Sequence, residues 1–130
     1  IFDVKCDIFA PCALGGALNS KTIPRIQSKV VCGSANNQLL EDGDADALQK
    51  RGILYAPDYI VNAGGVINIS CEVGMTYSED AAREKTARIY ETMQRVISIA
   101  KKQGITTAKA AAHLAEERIA AARKVRNVYL

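Results

Sequence analysis

Asp7-Ile8-Phe9-Ala10-Pro11-Cys12-Ala13-Leu14-Gly15-Gly16 sets a pattern that the chain repeats twice more. A short apolar run gives way at once to a loop of small, neutral residues. The same change occurs at Val30-Val31-Cys32, which leads into Gly33-Ser34-Ala35-Asn36-Asn37-Gln38. It occurs again at Ile53-Leu54-Tyr55, followed by Ala56-Pro57-Asp58-Tyr59 and then Asn62-Ala63-Gly64-Gly65. The runs are near-evenly spaced, and helix-length segments lie between them, Leu14 to about Gln27 and Asp44 to Arg51. Short continuous apolar runs alternating with helices predict parallel strands, buried on both faces and joined by right-handed crossovers. The expected fold is α/β, the second half of a doubly wound parallel sheet followed by C-terminal helices.

In an open parallel sheet the carboxyl ends of the strands point to one edge, and ligands bind there. Three loops rich in Gly, Ala, Ser and Asn therefore converge on one crevice. Small side chains let a ligand approach the backbone, and Asn offers both a donor and an acceptor without charge. Such a lining suits ribose hydroxyls and a carboxamide better than a metal ion or a phosphate cluster. Turn chemistry alone accounts for any one of these loops; three in register point to a binding edge.

The remainder predicts helices. One begins near Ala63 and runs to Ser70, with Val66 and Ile69 on one side at i, i+3. Those two residues either line a pocket for an apolar group or belong to the core, and spacing does not choose between them. Ser78 is the expected N-cap of a long helix with Glu79 and Asp80 in its first turn. Ala82, Thr86, Ile89, Met93, Val96, Ile97 and Ala100 follow a helical period as its buried stripe, and Gly104 ends it. Thr106 or Thr107 then caps a last helix, Ala108 to about Arg126. Its apolar face is mostly Ala, with Leu114 and Ile119.

Composition bounds the possibilities. At 130 residues, 48% hydrophobic and 24% charged, the chain is one globular domain long enough to bury a core. Net charge is +3, and no apolar run approaches the roughly 20 residues of a membrane span. Membrane and nucleic-acid partners are not expected. Residues 105–130 carry five basic and two acidic groups, but a nucleic-acid surface calls for a denser patch with interleaved aromatics, and only Tyr129 is near. Cations at the C-terminal end of a solvated helix account for the excess.

The four cysteines, Cys6, Cys12, Cys32 and Cys71, show no C-x-x-C spacing, and His113 is the one histidine. No metal site is expected from such a set. Reduced thiols in a cytoplasmic protein are the simplest reading; the alternative, a reactive thiol, points mainly to Cys12, in its Pro-Cys-Ala-Leu-Gly-Gly loop. The chain also opens at Ile1 directly on a strand pattern, which predicts the C-terminal part of a longer polypeptide. The strand carrying Asp7 to Phe9 would then be an open edge, and such edges pair with other chains.

Four motifs now stand in order: Asp7 to Gly15, Gly33 to Leu39, Gly52 to Tyr59, and Asn62 to Asn68. Together with Leu114-Ala115-Glu116-Glu117-Arg118-Ile119, they closely resemble the leucine/phenylalanine/valine branch of the amino-acid dehydrogenases over nearly the whole chain. The resemblance implies a Rossmann-like NAD-binding domain, its C-terminal half at 1–70 and its helical segment at 71–130. It implies oxidative deamination of an apolar L-amino acid, branched-chain or aromatic, to a 2-oxo acid and ammonia, with hydride passing to NAD. Ala13 and Leu14 would lie beside the adenosine end of NAD. Ser34, Ala35 and Asn36 would contact the nicotinamide half, and Asn62 the nicotinamide or its ribose. Asn36 would also reach the substrate, whose side chain Val66 and Ile69 would line. A homo-oligomer is implied as well.

The departures from the family pattern bear on activity. No strand here leads into G-x-G-x-x-G, so the phosphate-gripping half of a dinucleotide fold is missing, with the acidic residue that follows it. No lysine sits in a motif resembling the family's catalytic one, so the chain carries no catalytic residue and is not expected to turn over alone. A non-catalytic nucleotide-binding or assembly module is the alternative reading of the same features.

Overall fold

A computed structural model describes residues 1–73 and 76–126. Three two-residue strands, β1 (Ile8–Phe9), β2 (Val30–Val31) and β3 (Leu54–Tyr55), form a parallel sheet in the order β1-β2-β3. Ile8 pairs with Val30 and Phe9 with Val31; Val30 pairs in turn with Leu54 and Val31 with Tyr55. The helices are α1 (Gly43–Lys50), α2 (Asp58–Val61), α3 (Gly64–Ser70), α4 (Glu79–Gln103) and α5 (Thr107–Arg126). The fold is α/β, with a parallel sheet followed by helices, as the alternation of apolar runs and polar loops requires. Tyr129 lies outside the described residues.

Two expectations need correction. The segment from Leu14 to Gln27 is not an α-helix; it holds only a 3-10 turn at Ile23–Arg25. Gly16 adopts φ +67°, and Leu18 makes an isolated parallel bridge to Leu39. Asn19 then competes for the backbone, its Oδ1 accepting the N–H groups of Lys21 and Thr22 at 3.0 and 3.2 Å. Pro24 follows, without an N–H to give. Nor are the strands buried on both faces. Val31 is fully buried at the sheet centre, but Ile8 on the edge strand is 60% exposed and Leu54 on the opposite edge is exposed too.

The inner face carries the first core. Val31 and Tyr55 pack with Leu18, Ile23, Ile26, Leu48 and Ile53, so the irregular 14–27 segment buries its apolar side chains without helical geometry. The second core joins α2, α4 and α5 through Ile60, Val96, Ala100, Ala110, Ala111 and Leu114. Alanines at the α4–α5 seam permit close approach of the helix backbones. Ile119, expected on this face, is exposed.

The helix signals act as sequence physics dictates. Ser78 Oγ accepts the N–H of Ala81 at 3.3 Å at the start of α4, and Glu79 and Asp80 fill the first turn. Gly104 closes α4 at φ +67°, where a side chain would be strained. Thr106 Oγ1 accepts the N–H of Lys109 at 3.1 Å and caps α5. Thr107 donates its hydroxyl to the Tyr55 carbonyl at 2.5 Å, so the start of α5 is pinned to the end of β3. No helix among the described residues is long and apolar enough to cross a membrane.

Candidate cofactor site

The three loops at the carboxyl edge of the sheet interlock through backbone contacts before any side chain acts. Ala35 N–H donates to the Pro11 carbonyl at 3.0 Å, joining the loop after β2 to the loop after β1. Gly16 N–H donates to the Asn37 carbonyl at 2.7 Å, and Leu18 N–H to that of Gln38 at 2.9 Å. Two glycines make this approach possible. A Cβ at Gly33 would stand 2.1 Å from the Pro11 carbonyl oxygen, and one at Gly15 would stand 3.0 Å from the carbonyls of Asn36 and Asn37.

Gln38 holds the second loop from beneath. Fully buried, it donates through Nε2 to the carbonyls of Gly33 and Ala35 at 2.7 and 2.9 Å, so the turn presenting Ser34 is clamped on both sides. Its Oε1 has no partner among the described residues. The sequence reading did not single out Gln38; a polar residue closing a Gly-Ser-Ala-Asn-Asn loop was the available signal.

The third loop brings the amides together. Asn62 Nδ2 donates to Asn36 Oδ1 at 2.6 Å and lies 3.4 Å from the Ser34 carbonyl. Ser34, Asn36 and Asn62 thus meet at one edge, with Ser34 and Asn36 exposed. As oriented, the Asn36 N–H groups and the Asn62 side-chain carbonyl have no hydrogen-bond partner among the described residues. The edge therefore offers neutral donors and acceptors to whatever enters.

The other expected residues are placed differently. Ala13 and Leu14 are exposed in the first loop, just before the glycine that faces Asn36. Ala35 is only 4% exposed, and both its backbone groups are used, by the Pro11 carbonyl and by Gln38. It packs the loops together and turns no side chain outward. Val66 and Ile69 are not core: they stand 73% and 61% exposed on α3, the helix following Asn62. A separate cavity of about 580 Å³ between α3, α4 and α5 is lined by Ile67, Ile89, Leu114, Lys85 and Arg88 among others, and by none of the expected site residues.

Cys12 borders the crevice. Its exposed thiol accepts the Ser34 N–H at 3.5 Å, and hydrogen bonding from Ser34 holds its pKa below the ordinary thiol value. Cys71 is buried. Alkylation by iodoacetamide is expected to label Cys12 well before Cys71, with a rate that rises with pH through a midpoint below that of an ordinary cysteine. Peptide mass spectrometry across a pH series checks this, and equal labelling of both residues would refute it.

A parallel sheet whose carboxyl-edge loops set glycine backbone beside paired neutral amides defines an α/β protein with a crevice at the edge where sheets of this kind take ligands. The sequence is specific enough to go further. The profile of the Glutamate/Leucine/Phenylalanine/Valine dehydrogenase family matches residues 1–127, and the chain belongs to that family. It is 51% identical over 130 residues to leucine dehydrogenase of Bacillus cereus, covering all of this chain and 35% of that protein. With valine dehydrogenase of Streptomyces albus the identity is 53% over 117 residues, 90% of this chain and 32% of the relative. The crystal structure of L-tryptophan dehydrogenase from Nostoc punctiforme superimposes with a TM-score of 0.89 at 48% identity, covering 95% of this chain and 37% of that one. The chain thus spans about a third of the length of the relatives it matches.

Proposed function

We propose that this chain is the C-terminal half of the NAD-binding domain, with its following helices, of an L-amino-acid dehydrogenase acting on an apolar substrate, branched-chain or aromatic. The observation that carries the proposal is the Asn36–Asn62 amide pair, 2.6 Å apart on the carboxyl edge of the parallel sheet. The leucine, valine and tryptophan dehydrogenases among its relatives support an amino-acid substrate.

The residues present fit the nicotinamide half of a dinucleotide. Asn36 and Asn62 would take the carboxamide and ribose hydroxyls with the N–H and C=O groups that their mutual bond leaves free. Gly15, whose missing Cβ lets the first loop lie against the Asn36 and Asn37 carbonyls, keeps that loop beside the asparagine pair. Ala13 and Leu14 would flank the adenosine end and Ser34 the nicotinamide. Ala35 serves the same surface from below, by packing. Val66 and Ile69, exposed on α3, would line the substrate side chain. A nicotinamide held by Ser34, Asn36 and Asn62 would supply the hydride acceptor for oxidation at the amino acid's α-carbon, and these residues would orient it. Among the described residues no lysine stands in this crevice to polarise water or carbonyl, and residues 1–130 are not expected to turn over alone. The four free thiols suit a reducing cytoplasm, and the open strand edge and exposed α3 suit assembly with further copies.

The test is direct. The full-length polypeptide, given NAD with L-leucine, L-valine or L-phenylalanine, should generate the near-ultraviolet absorbance of reduced nicotinamide, and residues 1–130 alone should not. A folded full-length protein that neither binds NAD nor shows this absorbance with any of the three ends the proposal.

A further inference from the structure

Asp58 reaches into the three-loop edge as a charged side chain, and its bonds run to Asn62 and to Asn37, the neighbour of Asn36. It is the first residue of α2, yet it does not cap its own helix, which starts without any side-chain cap bond. Instead Asp58 Oδ2 accepts the backbone N–H of Asn37 at 2.5 Å, across to the loop after β2. Its backbone carbonyl accepts the N–H of Asn62 at 2.9 Å, one turn along α2. Asn36 and Asn62 join each other through their amides at 2.6 Å. The contacts close a ring, from the Asp58 carboxylate to Asn37, back one residue to Asn36, across to Asn62 and home to the Asp58 carbonyl.

The anchor falls where the chain needs one. Asn37 has φ +52°, a left-handed conformation that costs any residue with a Cβ, least for Asn. A carboxylate accepting its N–H fixes that turn more firmly than a neutral acceptor does. The carboxylate is steadied in turn: Tyr55 OH lies 3.5 Å from Asp58 Oδ1, and Tyr55 is buried at the end of β3. Burial and the adjacent Asp58 charge push the Tyr55 phenol well above its usual pKa, so it stays a donor at all ordinary pH.

We propose that Asp58 is a positioning residue for cofactor binding, holding the loop after β2 and the end of α2 at the separation that pairs Asn36 with Asn62. It acts through the asparagines and needs no contact with the ligand. For its effect on binding the proposal rests on the dinucleotide reading above; for the geometry of the pair it does not.

The experiment uses the full-length protein. NAD affinity is measured by titration calorimetry for the wild type, Asp58→Ala, Asp58→Asn and Asp58→Glu, with a thermal melt of each and a crystal structure of Asp58→Ala. Asp58→Ala should weaken NAD binding about tenfold and part the Asn36 and Asn62 amides beyond hydrogen-bond reach. Asp58→Asn keeps an oxygen acceptor in the same place and should recover to within about threefold of wild type. Asp58→Glu keeps the charge but displaces the acceptor, and should bind as weakly as Asp58→Ala. Where Asp58→Ala does not fold, the Asn and Glu variants and their structures decide the matter. Wild-type affinity in Asp58→Ala or Asp58→Glu, or an Asp58→Asn no better than Ala, overturns the proposal. If the wild type itself fails to bind NAD, the dinucleotide reading falls, and the asparagine separation in the variant structure still decides the positioning role.

Discussion

Gly33→Ala is expected to destabilise the protein by at least about 3 kcal/mol, and to do so without touching a single side-chain contact. The added methyl would sit 2.1 Å from the Pro11 carbonyl oxygen and 2.5 Å from the Pro11 nitrogen, inside any permitted separation. Both obstacles are backbone, so no rotamer change relieves them. Pro11 is itself buried, and its ring fixes φ, which removes the easiest way for the loop after β1 to yield. Relief would have to come from parting the loops, which breaks the Ala35–Pro11 and Gly16–Asn37 backbone bonds. Gly43→Ala is the matched control. That glycine opens α1 with free space around its Cα and no positive φ, so alanine there should be neutral or stabilising by about 0.5 kcal/mol. Chemical denaturation of the two variants beside the wild type checks both. A Gly33→Ala midpoint matching that of Gly43→Ala would show that the close packing of the two loops is not what Gly33 provides.

The same contact shows what a sequence reader can and cannot extract. Ile8-Phe9, Val30-Val31 and Leu54-Tyr55 announce strands because a short apolar run followed by Gly and Asn has few other uses, and the caps at Ser78 and Gly104 are local chemistry. Convergence of the three loops follows from parallel topology alone, and so the loops holding Ser34, Asn36 and Asn62 could be grouped from the sequence, while the choice of those residues came with the family resemblance. The segment from Leu14 to Gln27 misleads because its length fits a helix, while two glycines, the Asn19 side chain and Pro24 each favour a turn. Its burial of Leu18, Ile23 and Ile26 depends on partners distant in sequence. Ala35 reads as one of a run of site residues, and only the fold reveals that it faces inward. Asp58 is harder still. Its position after Pro57 looks like an ordinary acidic first turn, and nothing local says that its carboxylate answers a left-handed Asn37 on another loop. Bonds between loops are set by topology, and a single sequence carries them only as the small and neutral residues that permit them.

On the proposed dehydrogenase reading, Asn36→Ala is expected to lower kcat/KM of the full-length protein about 100-fold while leaving the thermal midpoint nearly unchanged. The stability half follows from exposure: Asn36 projects from the loop, and surface substitutions of this kind stay within about 0.5 kcal/mol. The kinetic half follows from the proposed nicotinamide contact. Removing the amide deletes the donors that would hold the ligand and also frees Asn62 Nδ2 from its 2.6 Å partner, so the second asparagine is left unfixed. Losing an orienting hydrogen bond in a site of this kind costs about 2.7 kcal/mol, which is the hundredfold. Because the two amides act as one unit, the double variant Asn36→Ala, Asn62→Ala should lose less than the two single losses combined, with a coupling of about 1 kcal/mol. Steady-state kinetics in NAD at saturating amino acid, with a melt on every sample, separate these effects. Wild-type kinetics in Asn36→Ala would remove Asn36 from the site, and strict additivity in the double variant would mean that the asparagines, though bonded, serve the ligand independently.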